Sequence, residues 1–70
     1  MKRTAVSSSM VKSIGYDKIS KTVEVEFSNG SIGQYLNVPA EKHKEFLNAD
    51  SHGKFVHQEL KPNFTFQKIK

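Results

Sequence analysis

The segment Thr22-Val23-Glu24-Val25-Glu26-Phe27 constrains this chain most. Its strict alternation places Val23, Val25 and Phe27 on one face and the two glutamates on the other, the period of a half-buried strand. Asn29-Gly30 follows between two serines. Both residues tolerate positive φ, so the pair signals a hairpin, and residues 31–36 return as its second strand. The pair of strands is therefore expected to be antiparallel, with one face covered. Two registers are open. A two-residue loop sets Glu24 opposite Tyr35 and leaves that ring on the charged face. A three-residue loop with a bulge at Gly30 sets Val23 opposite Tyr35 and buries it. A slip of one residue flips every side chain, so the two are exclusive.

The remaining elements fit around the hairpin. Residues 10–16 read as a strand that ends at Gly15-Tyr16-Asp17, giving a three-stranded meander over 10–16, 21–28 and 31–36. Pro39 opens a helix over 39–48, because its missing N–H would be unpaired at a first helical position anyway. His43, Phe46 and Leu47 share one helix face. Ser51 caps a second helix over 52–61, which Pro62 stops, with Phe55, Val56 and Leu60 facing inward. Phe64 to Lys68 alternates as a short terminal strand. The class is α+β. The terminal strand is expected beside the first strand, which would bring the two chain ends together. Residues 1–8, which run into the triple serine Ser7–Ser9, are expected as a flexible basic tail on a single domain over 9–70.

Charge is laid out unevenly. The net charge is +4 over 70 residues. Residues 1–21 carry five cations against Asp17, residues 22–60 three lysines against six acids, and residues 61–70 three lysines and no acid. Joined ends would form a basic patch suited to phosphate-rich partners. With no cysteine, a disulfide scaffold and a Cys-ligated zinc site are excluded. No apolar run approaches the roughly 18 residues of a membrane span, and the N-terminus lacks the apolar core of a signal peptide. The expectation is a cytoplasmic domain with no membrane partner and a small core, since a chain this short buries only about 60% of its unfolded surface.

Several pieces together resemble the KTSC domain family. They are Ser8-Ser9 leading into Ile14-Gly15-Tyr16-Asp17, the strand with Phe27 and Gly30, Tyr35 followed by Val38-Pro39, and Ala49-Asp50-Ser51-His52-Gly53-Lys54-Phe55. The resemblance spans about residues 4 to 69. The family takes its name from the C-terminus of some lysyl-tRNA synthetases and includes small stand-alone bacterial proteins, which this chain looks like. It implies a domain of unknown function for which RNA binding, of tRNA by association, has been suggested. The family's central Tyr-x-Tyr is altered here: Gly33 stands at the first position and Tyr35 at the second. Its late aromatic position is Phe64.

For chemistry, the sequence offers little. Ser7, Ser8 and Ser9 lack an activating base and an oriented third group, and no nucleophile elbow exists, so no catalytic residue, enzyme activity or small-molecule substrate is expected. His43, His52 and His57 match no ligand spacing, so neither metal nor cofactor is expected. A helix cap accounts for Ser51-His52-Gly53-Lys54 better than a phosphate contact does. Two functions remain. One is weak RNA or nucleic-acid binding through Lys2, Arg3, Lys12, Lys54, Lys61 and Lys68, with Tyr16 and Tyr35 as the rings. The other is protein docking through a sheet edge or helix face.

Overall fold

The computed structural model describes residues 2–70; Met1, the first residue of the expected tail, lies outside the described residues. Five strands form one antiparallel sheet in chain order: β1 (Arg3–Ala5), β2 (Val11–Asp17), β3 (Thr22–Phe27), β4 (Ile32–Leu36) and β5 (Thr65–Lys68). Between β4 and β5 the chain forms α1 (Ala40–Leu47) and α2 (His52–Phe55). The α+β class is as expected. The three-stranded meander is the centre of a larger sheet.

The hairpin adopts the three-residue register. Phe27 N–H donates to Ser31 O at 2.8 Å, Gly30 N–H to Phe27 O at 2.9 Å, and Gly30 sits at φ +93°. Asn29 Oδ1 accepts from Ser31 N–H at 3.0 Å and from Ser31 Oγ at 2.7 Å, which fixes the turn. Val23 therefore faces Tyr35, and Glu24 faces Gln34. This register wins because it puts Val23, Val25 and Tyr35 on one face, where all three are buried.

A bulge at Lys12 adjusts β2. Val11 opposes Phe27 and Ser13 opposes Glu26, so Lys12 is the extra residue. Val11 and Ile14, three apart, thereby share the covered face. They join Val23, Val25 and Tyr35 from the sheet with Val38, Phe46, Val56 and Leu60 from the helical layer in one core. The opposite face carries Arg3, Ser13, Glu24, Glu26 and Gln34.

Two expectations about the ends are corrected. Residues 3–5, expected in a loose tail, pair with β2, Arg3 facing Gly15. They show no alternation, so their strand comes from a tertiary partner: Arg3 is held by the glutamates of β3. Ser8 then supports the turn into β2, its Oγ accepting from Met10 and Val11 N–H at 3.2 Å. With that edge taken, β5 pairs with β4, not with the first strand. Gly33 helps, because the Phe66 ring lies directly over it: a Cβ at Gly33 would come within 2.2 Å of that ring. The chain ends thus lie on opposite edges of the sheet, about 19 Å apart at the usual strand spacing.

The helices follow their local signals. Pro39, expected as the first helical residue, is instead the extended cap (ψ 151°) before α1, and its carbonyl accepts from Lys42 and His43 N–H at 3.0 and 3.1 Å. Ser51 caps α2, its Oγ accepting from Lys54 N–H at 3.3 Å. After Phe55 the helix widens into a π-helical stretch over Val56–Leu60, closed by Lys61 N–H to Val56 O at 2.8 Å. Val56 and Leu60, at the two ends of this stretch, are both buried in the core. An ion network ties the two helices, with Lys42 Nζ at 3.3 Å from Glu45 and 3.2 Å from Glu59.

Candidate docking surface

The two tyrosines have different surroundings. Tyr16, on the covered face of β2, stacks on His43 of α1 with centroids 4.4 Å apart and planes 9° from parallel. Its hydroxyl donates to Val38 O at 2.6 Å. Burial holds the His43 imidazole below its ordinary pKa. Tyr35 is buried, and burial pushes its phenol up. Its hydroxyl has no hydrogen-bond partner among the described residues. Neither ring lies open on the sheet as a stacking platform would require.

The cations expected to act together are dispersed. Arg3 Nη1 meets Glu24 Oε2 at 2.6 Å and Arg3 Nη2 lies 3.9 Å from Glu26 Oε1. Gln34 Nε2 adds a bond to Glu24 at 3.0 Å, and Ser13 Oγ donates to Glu26 at 2.8 Å. Arg3 is thus committed to the fold. Lys2 lines a cleft with Tyr16, Lys18 and His43 near the start of α1. Lys12 is exposed on its bulge. Lys54 lines a different cleft, in company with Glu45, Asp50 and Glu59, where carboxylates surround the lysine. Lys61 and Lys68 lie on the β5 side of the molecule. Lys2 shares a cleft with Tyr16, and Lys61 shares one with Tyr35.

The second of these pairs marks a surface that the sequence pattern only hinted at. All four β5 residues are exposed, and among the described residues no strand pairs with the outer edge of β5. Phe66 is 47% exposed, although its ring packs on Tyr35 at 5.1 Å and covers Gly33. Beside it opens a cleft of about 270 Å³, floored by Met10, Phe27, Tyr35, Val56 and Phe66. His57 and Lys61, from the π-helical segment and the residue after it, form its rim. Lys68, two residues beyond Phe66, projects to the same side of the sheet. The alternation of residues 64–68 was the signal for this surface. Its neighbours come from four distant stretches of chain, which no local pattern links.

The histidines stay apart. His43 stacks on Tyr16, and His57 lines the cleft. His52 is buried with its ring nitrogen Nε2 3.3 Å from Leu47 O and Nδ1 without a partner. Among the described residues, no three histidine or carboxylate side chains converge. No helix of the described residues is long and apolar enough to cross a membrane.

A five-stranded antiparallel sheet in chain order, helices on one face inserted before the last strand, defines a small α+β domain. Its strands, turn and helix start carry the sequence signals of one family. The KTSC domain family model matches residues 7–64, and the chain belongs to the KTSC family. A solved KTSC domain protein from Yersinia pestis superimposes with a TM-score of 0.93 at 39% identity, covering 99% of this chain and 97% of its own. An uncharacterised protein of Stutzerimonas stutzeri is 45% identical over 62 residues, covering 89% of this chain and 87% of the relative. A lysine–tRNA ligase from Nostoc is 33% identical over 61 residues, covering 87% of this chain but only 11% of the ligase. The same domain therefore exists both in short chains and as a minor part of a large enzyme.

Proposed function

We propose that this domain is a non-catalytic docking module that takes an extended segment of another protein along β5. The observation that carries the reading is the β5 edge itself: an unpaired strand whose half-exposed Phe66 borders an apolar cleft. Added strands gain main-chain hydrogen bonds from such an edge and specificity from the adjoining pocket. Its occurrence as 11% of a tRNA ligase fits an attachable module. Nucleic-acid binding has weaker support in this geometry. Tyr16 and Tyr35 are engaged or buried, Arg3 is neutralised by Glu24, and the basic ends occupy opposite edges.

The test is an amide chemical-shift titration of the labelled full chain. One arm adds a short strand-forming peptide of alternating valine and threonine, and the other adds bulk tRNA at low and near-physiological salt. Docking predicts peptide-dependent shifts at Thr65–Lys68, Val56 and His57. It also predicts that any tRNA response disappears at the higher salt, as a purely ionic contact must. Salt-resistant tRNA shifts around Lys2 and Lys18, with β5 silent, would reverse the assignment.

A further inference from the structure

The chemistry of the β5 surface goes further than its shape. Resting on the docking assignment, we infer that the segment received there is acidic, with one apolar side chain seated in the cleft and carboxylates on either side of it.

The argument is charge complementarity. The cleft is lined by no acid. Its ionisable groups are His57, Lys61 and the buried, neutral Tyr35 phenol, and Lys68 and Lys70 extend the same sign along the strand. Neither Lys61 nor Lys68 makes an ion pair among the described residues. The nearest acid in sequence, Glu59, is held on the other side of the helix by Lys42 at 3.2 Å and lines the opposite cleft. Residues 61–70 contain no acid at all. The basic rim is therefore not balanced from within the chain. Tyr35 adds a polar point on the apolar floor, because its hydroxyl lacks an internal partner. A carbonyl or carboxylate of the guest can accept from it.

Like charges argue against a second copy as the occupant. A second copy would bring its own Lys61, Lys68 and Lys70 to an edge that already carries three lysines and no acid, and edge lysines are a common device against self-pairing. An acidic guest meets the reverse situation. Lys61, the residue that closes the π-helical stretch, stands in the lining of the cleft.

The experiment uses the full chain and three short peptides of one design, in which valines alternate with a variable residue and a central phenylalanine takes one of the variable places, so that the variable residues two positions to either side share its face. The variable residue is glutamate, glutamine or lysine. Binding is read by amide shifts and hydrogen-exchange protection at β5. The glutamate peptide is expected to bind about tenfold more tightly than the glutamine peptide, the effect of two partly exposed ion pairs. The lysine peptide should be the weakest. In a Lys61→Glu, Lys68→Glu double variant the order should invert while the fold, checked by its amide spectrum, is unchanged. Equal affinity for the glutamate and glutamine peptides, each protecting β5, would overturn the acidic assignment and leave docking intact. No protection by any peptide would overturn docking itself. Concentration-dependent dimerisation protecting β5 would identify a second copy as the occupant and overturn the acidic guest.

Discussion

The two edges of the sheet are made of similar residues and behave differently. At the β1 edge, Arg3 is gripped by Glu24 and Glu26, and in the neighbouring strand Tyr16 is fixed by His43 and Val38. At the β5 edge, Lys68 has no ion partner among the described residues, Phe66 is half exposed, and the Tyr35 hydroxyl is unbonded. Cations and rings at the first edge hold the fold together. At the second they are available. Composition and charge totals cannot separate these roles; only the placement of Glu24, Glu26 and Val38 does.

The strongest way to break the comparison sets Arg3→Ala against Lys68→Ala. The first leaves Glu24, only 12% exposed, with Gln34 alone and should cost about 1–2 kcal/mol; the second should stay within about 0.5 kcal/mol. Equal losses would erase the distinction between the edges. A second test is at Gly33. Replacing it with valine would drive a side chain into the far end of the half-exposed Phe66 ring and push it off Tyr35, a displacement expected to cost about 1 kcal/mol, the low end of overpacking. Phe66→Ala in the same chain should recover part of the loss, so the pair should couple strongly in a double-mutant cycle followed by denaturant unfolding. Additive effects would mean that the ring does not occupy the space over Gly33.

The tyrosine hydroxyls sharpen the comparison further. Tyr16→Phe leaves the Val38 carbonyl without its 2.6 Å bond and should cost about 1 kcal/mol. Tyr35→Phe should cost close to nothing, and a comparable loss at both sites in thermal unfolding would show that Tyr35 has an internal partner. The smallest effect concerns pH. Burial lowers the His43 pKa below 6.5, so the unfolded chain binds the proton more readily. The stability from this site is complete above the unfolded value and falls as pH drops through 6.5 toward the lower folded pKa. His43→Phe keeps a ring against Tyr16 and removes the titration. Unfolding midpoints measured between pH 7 and 5 should fall less in the variant; identical slopes would place the titrating group elsewhere.

Much of this architecture was legible. The alternation of Val23, Val25 and Phe27, the Asn29-Gly30 turn, Pro39 before α1 and Ser51 capping α2 are local signals, each acting within a few residues. They located β2 to β4, both helices and the last strand. β1 was missed because Arg3-Thr4-Ala5 has no pattern of its own and is a strand only by virtue of Glu24 across the sheet. The π-helical stretch has no signature of its own in the sequence, since Val56 and Leu60, four apart, satisfy an inward face in either geometry. Of the candidate surface, the rings and lysines were visible as residue types, but their grouping was not. Tyr35 and Lys61 share a cleft through a register and a helix packing that are decided at long range.

Turn chemistry and apolar periodicity by themselves determined an α+β domain with a one-sided antiparallel sheet, because both depend on neighbours close in the chain. Tertiary structure alone decided which edge each end of the chain would take. That choice is a competition between distant partners: Arg3 is drawn to the glutamates of β3, and Phe66 is drawn to the space that Gly33 leaves over β4. The same competition left the basic, apolar β5 edge open.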